Sequence, residues 1–283
     1  MDDLKLLNGV HYANEKLLAE VDRICKKHNI KYYMWAGTLL GAVRHNDFIP
    51  WDDDVDLSFK REDYEKFLEV APKELGEAFQ LVMPGEDDKF FDMIPKLNYV
   101  ASTVRTPGED ELFYDNKHNR VALDVFCLDD ACTGLMFKLQ VFRIKMVYGY
   151  AMGHRRSLDM DKYHGFTKLY VKLLSIIGKH MSMEKIIKKY NKASMWKKGK
   201  GSDYCIFNER IYVIHNKFSK KWFNDEADYN IRGNMYKSVK DYDGLLSSLY
   251  GNYMELPPED KRVPIHSGEL DQIKVYDLEG NLI

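Results

Sequence analysis

The segment with the strongest constraint on the fold is residues 51–59, WDDDVDLSF, where an acidic run continues into an alternating stretch. Apolar residues at positions 55, 57 and 59 alternate with Asp54, Asp56 and Ser58. A β-strand has a side-chain period of two, so the apolar trio faces one side and both aspartates face the other. The pattern therefore predicts a buried strand that presents two carboxylates together.

Two carboxylates on one strand face are suited to binding Mg²⁺ or Mn²⁺, which prefer oxygen ligands and retain waters or substrate phosphates. We predict Asp54 and Asp56 as the ligands of a catalytic metal. A solvated acidic turn is the competing interpretation for Asp52 and Asp53. An EF-hand calcium loop beginning at Asp52 does not fit, because Leu57 stands where that loop requires glycine.

A second element of the predicted site is the Gly37-Thr38 pair, which follows a short aromatic strand at 31–36. Thr38 is the predicted N-cap of a helix over 39–44. Backbone N–H groups at a helix N-terminus lack partners and carry partial positive charge, so they bind phosphate well. Gly37 and Thr38 are therefore predicted to contact a phosphate group.

A third carboxylate is expected from the apolar segment 120–126, RVALDVF, which the pattern predicts as another buried strand. Asp124 is the acidic residue in it, and a buried carboxylate is costly unless a cation or a donor accompanies it. Asp124 is predicted to join the metal shell or to take the proton from an attacking hydroxyl.

Helical and strand-like patterns are mixed along the chain, which predicts an α/β (α+β) fold with a small mixed sheet that carries the aspartates. Residues 138–200 hold 16 Lys or Arg and 3 Asp or Glu, in a chain whose net charge is only −2. The predicted organisation is a catalytic core at 1–134, a basic helical lobe at 135–200 and a C-terminal segment at 201–283 that completes the catalytic domain.

The bulk properties exclude several classes of protein. The net charge of −2 gives no indication of a nucleic-acid partner. No apolar run reaches the length of a membrane span, and residues 1–5 lack the features of a secretory signal. The four cysteines form no zinc or CxxC pattern and are expected as free thiols. We predict a cytoplasmic protein, either free or at the inner face of the cytoplasmic membrane.

The basic stretch has two interpretations. One is a solvated face over an ordinary core. The other is a surface that attracts an anionic acceptor, such as a sugar linked to a lipid diphosphate, by peripheral contact with the membrane.

The segments Gly37–His45 and Phe48–Asp56 resemble the signature of the LicD family in a long, nearly unbroken match. The segment Leu123–Asp129 resembles the second aspartate strand of that family, which usually has Pro where Cys127 stands. Further similarity covers Trp222-Phe223, Arg232-Gly233 and the segment 250–258, where Asn252 replaces the usual Asp of the family. Neither departure affects the predicted metal aspartates.

The resemblance implies a nucleotidyltransferase-like fold and a phosphocholine or alditol-phosphate transferase. It implies a donor such as CDP-choline and an acceptor sugar hydroxyl on a cell-surface glycan or its lipid-linked precursor, in lipopolysaccharide or teichoic acid synthesis. Asp54, Asp56 and Asp52 take the family's metal positions, and Asp124 takes that of the third acidic residue of the wider fold. Relatives transfer choline phosphate, and some are linked to ribitol or glycerol phosphate.

Other candidate ligand contacts have simpler alternatives. Arg44 is predicted to bind phosphate or to form a surface ion pair. Lys96 is predicted to meet a phosphate, against the alternative of an ordinary exposed lysine. Choline cannot donate a hydrogen bond and needs aromatic faces or a carboxylate. Trp51 and Tyr250 are the predicted aromatic contacts, although such residues usually belong to a core.

Three hypotheses about function compete at this point. The first is an in-line displacement by an acceptor hydroxyl on the phosphorus that carries the alcohol, with release of CMP. The second is a nucleotidyltransferase that delivers a nucleoside monophosphate to a small acceptor and releases pyrophosphate. The third is a non-catalytic nucleotide-binding protein.

Overall fold

The computed structural model describes residues 3–196, 202–207, 214–264 and 270–283. The α-helices of these residues are α1 (Asp3–His28), α2 (Ala36–Arg44), α3 (Arg61–Glu74), α4 (Glu109–Phe113), α5 (Gly134–Ala151), α6 (Gly165–Lys179), α7 (Met183–Ser194) and α8 (Tyr242–Tyr250). The strands are β1 (Tyr33–Met34), β2 (Val55–Lys60), β3 (Phe79–Val82), β4 (Lys96–Tyr99), β5 (Ser102–Thr103), β6 (Ala122–Asp130), β7 (Tyr204–Phe207), β8 (Phe218–Ser219), β9 (Glu226–Ile231), β10 (Asn234–Val239) and β11 (Lys274–Val275).

A mixed sheet forms the centre of the molecule, with strand order β1-β2-β6-β4-β3. In addition, β7 pairs with β6, and β8 pairs with β7. Strands β2 and β6 are parallel, whereas β4 and β7 pair with β6 in the antiparallel sense. The α/β fold class and the mixed sheet predicted from the sequence are confirmed. The segment that follows residue 201 contributes β7 and β8 to this sheet.

Strand β2 is central to the sheet, and its three alternating apolar side chains at 55, 57 and 59 are fully buried. The alternation therefore predicted the strand correctly. The strand begins at Val55, so Asp54 is the last residue of the preceding loop and Asp56 lies inside the strand. At the other end, Lys60 leads directly into α3.

The aromatic segment before α2 forms a shorter strand than the sequence predicted. Only Tyr33 and Met34 pair with β2, and the N–H of Trp35 then donates to the carbonyl oxygen of Asp56 at 2.9 Å. Ala36 has a φ of 45° and turns the chain into α2, whose N-cap is Trp35. The prediction of Thr38 as the N-cap was wrong, because this turn starts the helix three residues earlier.

The helices α5, α6 and α7 form a lobe with a hydrophobic cluster separate from the main core. The buried residues of this cluster include Phe137, Val141, Ile144, Val147, Met183, Ile186 and Tyr190. The helices predicted within the basic stretch are therefore confirmed. The boundaries of the lobe at 134/135 and 200/201 stay a prediction.

The remaining segments with family similarity have clear structural positions. Arg232 and Gly233, both with positive φ, form the tight turn between β9 and β10. Helix α8 ends at Tyr250. Its C-cap is Gly251, which has a φ of 66° and begins the segment 251–258. No helix within the described ranges is long and apolar enough to span a bilayer.

Candidate active site

A cavity of about 600 Å³ lies between the N-terminus of α2, the loop before β2 and the segment 250–263. Three aspartates line it, Asp52, Asp54 and Asp56. The other residues that line it are Ala36, Gly37, Leu40, Arg44, Ile49, Trp51, Tyr250, Asn252, Tyr253, Glu255, Leu256, Pro257, Pro258, Lys261 and Val263. This cavity therefore brings together seven of the residues that the sequence analysis selected.

The first turn of α2 borders the acidic loop directly. A Cβ atom on Gly37 would overlap the Oδ2 atom of Asp52, so glycine is required for this close approach. The hydroxyl of Thr38 accepts a hydrogen bond of 2.9 Å from the N–H of Asp56. Thr38 thus ties the helix to β2, and the backbone of Ala36 and Gly37 provides the helix N-terminus at the cavity wall.

The acidic loop forms a compact carboxylate cluster. One ligand atom from each of Asp52, Asp53 and Asp54 lies within 4.8 Å of the others. Asp53 is only 6% exposed, which contradicts a solvated turn at this position. His11 on α1 supports the loop, because its Nε2 atom donates to the carbonyl oxygen of Asp52 at 2.8 Å.

The electrostatics of the cluster are those of a cation site. Burial, followed by the nearby carboxylates of Asp54 and Asp53, raises the pKa of Asp52 to about 8. Three carboxylates in close contact are a donor set that a divalent cation with oxygen ligands takes, and its charge would relieve their repulsion. The residues present therefore fit Mg²⁺ or Mn²⁺.

The raised pKa of Asp52 predicts a particular pH dependence of stability. Between about pH 4 and pH 8 the folded state holds more protons than the unfolded state, so the free energy of unfolding falls as pH rises through this window. In metal-free buffer, Asp52→Asn is expected to reduce that loss of stability between pH 5 and pH 8. Denaturant unfolding of both proteins at several pH values measures the difference.

The matched control for this prediction is Asp228→Asn, a carboxylate on β9 that is 48% exposed. It should leave the pH dependence of unfolding unchanged. Added Mg²⁺ should stabilise the wild type more than the Asp52→Asn variant at pH 8. An unchanged pH profile in Asp52→Asn would show that this carboxyl group titrates normally.

A row of charged side chains crosses three strands beside the cluster. Asp56 on β2 is in register with Asp124 on β6, and Asp124 is in register with Lys96 on β4. In-register residues of neighbouring strands point to the same face, so Asp56 and Asp124 share one face as predicted. Asp124 does not belong to the compact cluster of the acidic loop.

Lys96 is neither an ordinary exposed lysine nor remote from the carboxylates. Its Nζ atom lies 3.4 Å from Asp124 and 3.7 Å from Asp92. Asp124, and more weakly Asp92 and Asp56, raise the pKa of Lys96 above its usual range. Lys96 therefore supplies the positive charge next to Asp124, where the sequence analysis expected a metal ion or a phosphate.

A series of polar contacts that the sequence does not predict leads from Lys96 through Asp92 to His118. Asp92 lies 3.5 Å from the Nδ1 atom of His118, and the His118 ring stacks on Phe90 and Phe91 with centroids 4.9 Å apart in each case. Burial lowers the pKa of His118. No sequence spacing links residues 92 and 118, so only the fold shows this contact.

Arg44 connects α2 to the opposite wall of the cavity. Its Nη1 atom donates to the carbonyl oxygens of Tyr253 at 2.9 Å and Glu255 at 3.3 Å, and its Nε atom donates to His45 at 3.0 Å. These partners are backbone carbonyl oxygens and a histidine, so the contacts of Arg44 do not form the surface ion pair that was the alternative prediction. Burial lowers the pKa of Arg44.

The two predicted aromatic contacts, Trp51 and Tyr250, line the same cavity. The guanidinium of Arg262 lies 5.6 Å from the centroid of the Trp51 ring, and His45 packs edge-on against that ring. Trp51 therefore already contacts a cation at the edge of the cavity. Trp51 also packs against the main core, as do the aromatic residues Trp222 and Tyr229, which do not line this cavity.

A second cavity of about 410 Å³ lies at the opposite end of β2 and β6. Its charged lining is internally paired: Arg61 contacts Asp129, and Lys220 contacts Asp130. The first cavity is the better candidate for catalysis because Asp52, Asp54 and Asp56 line it together beside the N-terminus of α2.

Comparison with known families adds an independent observation to this geometry. Residues 29–126 match the family model of the LicD/FKTN/FKRP nucleotidyltransferase domain. These residues therefore form a nucleotidyltransferase domain of the LicD type. The matched range includes α2, the acidic loop, β2, Lys96 and Asp124, which are the elements of the candidate site.

Individual proteins are similar to this chain, one of them well beyond residues 29–126. The lipopolysaccharide cholinephosphotransferase LicD of Haemophilus influenzae is 25% identical over 256 residues, which cover 87% of this chain and 90% of that protein. The human ribitol 5-phosphate transferase FKRP is 45% identical over 47 residues, 17% of this chain and 10% of that protein. An uncharacterised protein of Rickettsia typhi is 44% identical over 63 residues, 22% of this chain and 20% of that protein.

Proposed function

We propose that the protein transfers phosphocholine, or a related alcohol phosphate, from a CDP-linked donor to a sugar hydroxyl of a glycan or its lipid-linked precursor, with release of CMP. The LicD domain identifies an enzyme that transfers substituted phosphate groups. One observation carries the finer proposal: Asp52, Asp54 and Asp56, a helix N-terminus and the aromatic side chains of Trp51 and Tyr250 line a single cavity.

The donor diphosphate is assigned to the part of the cavity between Gly37 and the acidic loop. Asp52, Asp53 and Asp54 would hold Mg²⁺ there, and the ion would neutralise charge on the phosphate oxygens when bound. The N–H groups at the start of α2 provide partial positive charge for the same phosphates. Gly37 leaves room for this contact because it has no side chain.

The acceptor hydroxyl is assigned to the side of the sheet where Asp124 lies. Asp124 orients the hydroxyl and accepts its proton, and Lys96 holds Asp124 in place through their contact of 3.4 Å. The hydroxyl oxygen forms a bond to the phosphorus that carries the alcohol. The bond between that phosphorus and the bridging oxygen breaks, and CMP leaves.

The alcohol group is assigned to the wall formed by Trp51 and the segment 250–258. A quaternary ammonium binds over aromatic faces, because it has no proton to donate. Trp51 meets this need within the cavity. Ribitol or glycerol would instead need hydrogen-bond partners on this wall, so the contacts made there depend on which alcohol is transferred.

A panel of nucleotides tests the donor class. Thermal unfolding is measured with Mg²⁺ and CDP-choline, CDP-ethanolamine, CDP-ribitol or CDP-glycerol, with CDP and CTP as references. The true donor should stabilise the protein most, by about 2.7 kcal/mol at a hundredfold excess over its Kd. A panel in which CTP stabilises the protein more than every CDP-alcohol would favour the nucleotidyltransferase hypothesis.

The products distinguish the two reactions without knowledge of the acceptor. Slow transfer to water from CDP-choline should yield CMP and phosphocholine, which ³¹P NMR separates. Release of pyrophosphate from CTP would instead indicate delivery of the nucleoside monophosphate. Formation of neither product in the presence of Mg²⁺ and a glycan precursor would contradict the proposed transfer.

A further inference from the structure

Helix α6 carries two apolar faces, only one of which packs against the protein. Its buried residues are Val171, Leu174 and Gly178. A Cβ atom on Gly178 would overlap the carbonyl oxygen of Tyr150, so α6 lies in close backbone contact with α5. This contact fixes which face of α6 points away from the lobe.

The outward face of α6 is a continuous apolar stripe, which we call the α6 stripe. It consists of Phe166, Leu169, Leu173, Ile176 and Ile177, whose exposed fractions lie between 51% and 81%. Their spacings of three and four residues place them on one helix face at 100° per residue. Five large apolar side chains together on one surface indicate a site of interaction.

Lysines accompany the α6 stripe on one flank. Lys168, Lys172 and Lys179 follow one another by four and seven residues, so they share a second strip that neighbours the apolar one. The sequence of α6 contains no Asp or Glu. Lys168 contacts Asp161 at 2.9 Å, on the loop before the helix.

Helix α5 also combines exposed apolar side chains with neighbouring lysines. Leu135, Leu139 and Phe142 are exposed and spaced by four and three residues. Lys138 and Lys145 lie on the adjoining part of the same helix. The lobe therefore exposes apolar side chains on both helices within a stretch, residues 138–200, that has 16 basic and 3 acidic residues.

We propose that the α6 stripe and its lysines bind an anionic phospholipid bilayer, with α6 lying in the plane of the interface. The apolar side chains enter the boundary between headgroups and acyl chains, while the lysines contact the lipid phosphates. Basic side chains near an anionic surface add to this attraction.

Charge complementarity selects the bilayer over a second copy of the chain. A symmetric dimer through the α6 stripe would place two lobes, each strongly basic, against each other. An anionic bilayer satisfies both the apolar and the basic parts of the surface. A helix of 15 residues is too short to span a bilayer, so binding at the surface is the remaining geometry.

This attachment is independent of the alcohol that the enzyme transfers. It would keep the catalytic domain at the surface where a lipid-linked acceptor is found. The following test measures membrane binding without any catalytic readout, so its result does not depend on the proposed function.

Vesicle flotation tests the attachment with the full chain. The wild type should bind vesicles of phosphatidylcholine with about 30% phosphatidylglycerol, and should bind pure phosphatidylcholine at least about tenfold less. The double variant Leu169→Gln/Leu173→Gln should lose about tenfold or more of the binding to anionic vesicles. The variant Lys172→Gln/Lys179→Gln should weaken binding and reduce its salt dependence.

The matched control is Leu112→Gln/Leu278→Gln, which changes two exposed leucines outside the lobe. It should bind like the wild type. Circular dichroism and melting temperature should be unchanged in every variant, because the altered side chains are exposed. Equal binding by the stripe variant and the control, or equal binding to neutral and anionic vesicles, would overturn the proposal. A dimer that the stripe variant converts to a monomer would assign the surface to a second copy instead.

Discussion

Asp54→Asn is expected to reduce release of CMP from the donor by roughly 10²–10³-fold, because one negative ligand leaves the carboxylate cluster. Asn keeps the size of the side chain, so the shape of the cavity is preserved. The remaining activity should require a higher Mg²⁺ concentration. Initial rates over a Mg²⁺ titration measure both effects.

The same substitution should not destabilise the protein. Asp54 is a neighbour whose charge helps to raise the pKa of Asp52 to about 8, so its removal relieves repulsion in metal-free buffer above that pH, where both carboxyl groups are ionised. The variant is therefore expected to unfold at an equal or higher temperature than the wild type without metal. Loss of activity together with unchanged or increased stability is the signature of a functional site that costs stability.

Asp228→Asn is the control for this experiment as well, since its carboxylate is on the surface of β9. It should retain full activity. If Asp54→Asn and Asp56→Asn both kept normal rates, the cavity would not be the catalytic centre. Catalysis would then occur elsewhere in the protein, whereas nucleotide binding by the wild type without any product would support the non-catalytic hypothesis.

The sequence predicted the acidic strand well because its signal is local. The alternation over residues 54–59 predicted a strand with Val55, Leu57 and Phe59 in the core, although Asp56 and Ser58 on the other face are buried as well. It also placed Asp56 on the face opposite to the core. The prediction needed no knowledge of the neighbouring strands.

The partner of Asp124 could not be predicted in the same way. Strands β2 and β6 are separated by more than 60 residues, and their parallel register depends on the whole sheet. The pattern around residue 124 predicted a cation or a hydrogen-bond donor beside the carboxylate, with Asp124 either in the metal shell or as the proton acceptor. The fold supplies Lys96 from β4, because that strand places residue 96 directly opposite residue 124.

The first turn of α2 shows a different limit of prediction from sequence, which concerns where a helix begins. Residue preferences place Thr38 at the N-cap, because its hydroxyl can accept a backbone hydrogen bond. The structure uses that hydroxyl for the N–H of Asp56 instead. A contact between the helix and β2 thus overrides the local preference, and the helix begins at Ala36.

The exposed surface of α6 was also beyond sequence reasoning. Apolar residues surround much of this helix, which is typical of a buried helix. The contact at Gly178 selects the face that packs on α5 and leaves the α6 stripe outside. Only the position of α5 identifies which half of the apolar residues is exposed.

The largest expected loss of stability comes from Asp129→Asn, at the far end of β6. Asp129 is 3% exposed and accepts two hydrogen bonds from the guanidinium of Arg61, which is also buried, at 2.9 and 2.5 Å. The substitution removes the buried counter-charge of Arg61, whose other carboxylate neighbour, Glu65 at 3.9 Å, is half exposed. Removal of one partner of a buried ion pair costs about 3–5 kcal/mol. Denaturant unfolding gives this free energy directly.

The adjacent residue provides a matched control. Asp130 pairs with Lys220 at 2.6 Å, but both side chains are about one-third exposed. Asp130→Asn should therefore cost less than about 1 kcal/mol, as exposed ion pairs do. Similar losses in the two variants would mean that burial of the Arg61–Asp129 pair does not determine its energy.

A double variant separates the value of the pair from the cost of breaking it. Arg61→Met/Asp129→Leu removes both charges and fills the site with apolar atoms, so it should recover much of the stability lost in Asp129→Asn. Arg61 begins α3 directly after β2, and Asp129 lies near the end of the neighbouring strand β6. If the double variant is stable but catalytically impaired, the ion pair serves to hold β2 and β6 in the register that places Asp56 beside Asp124.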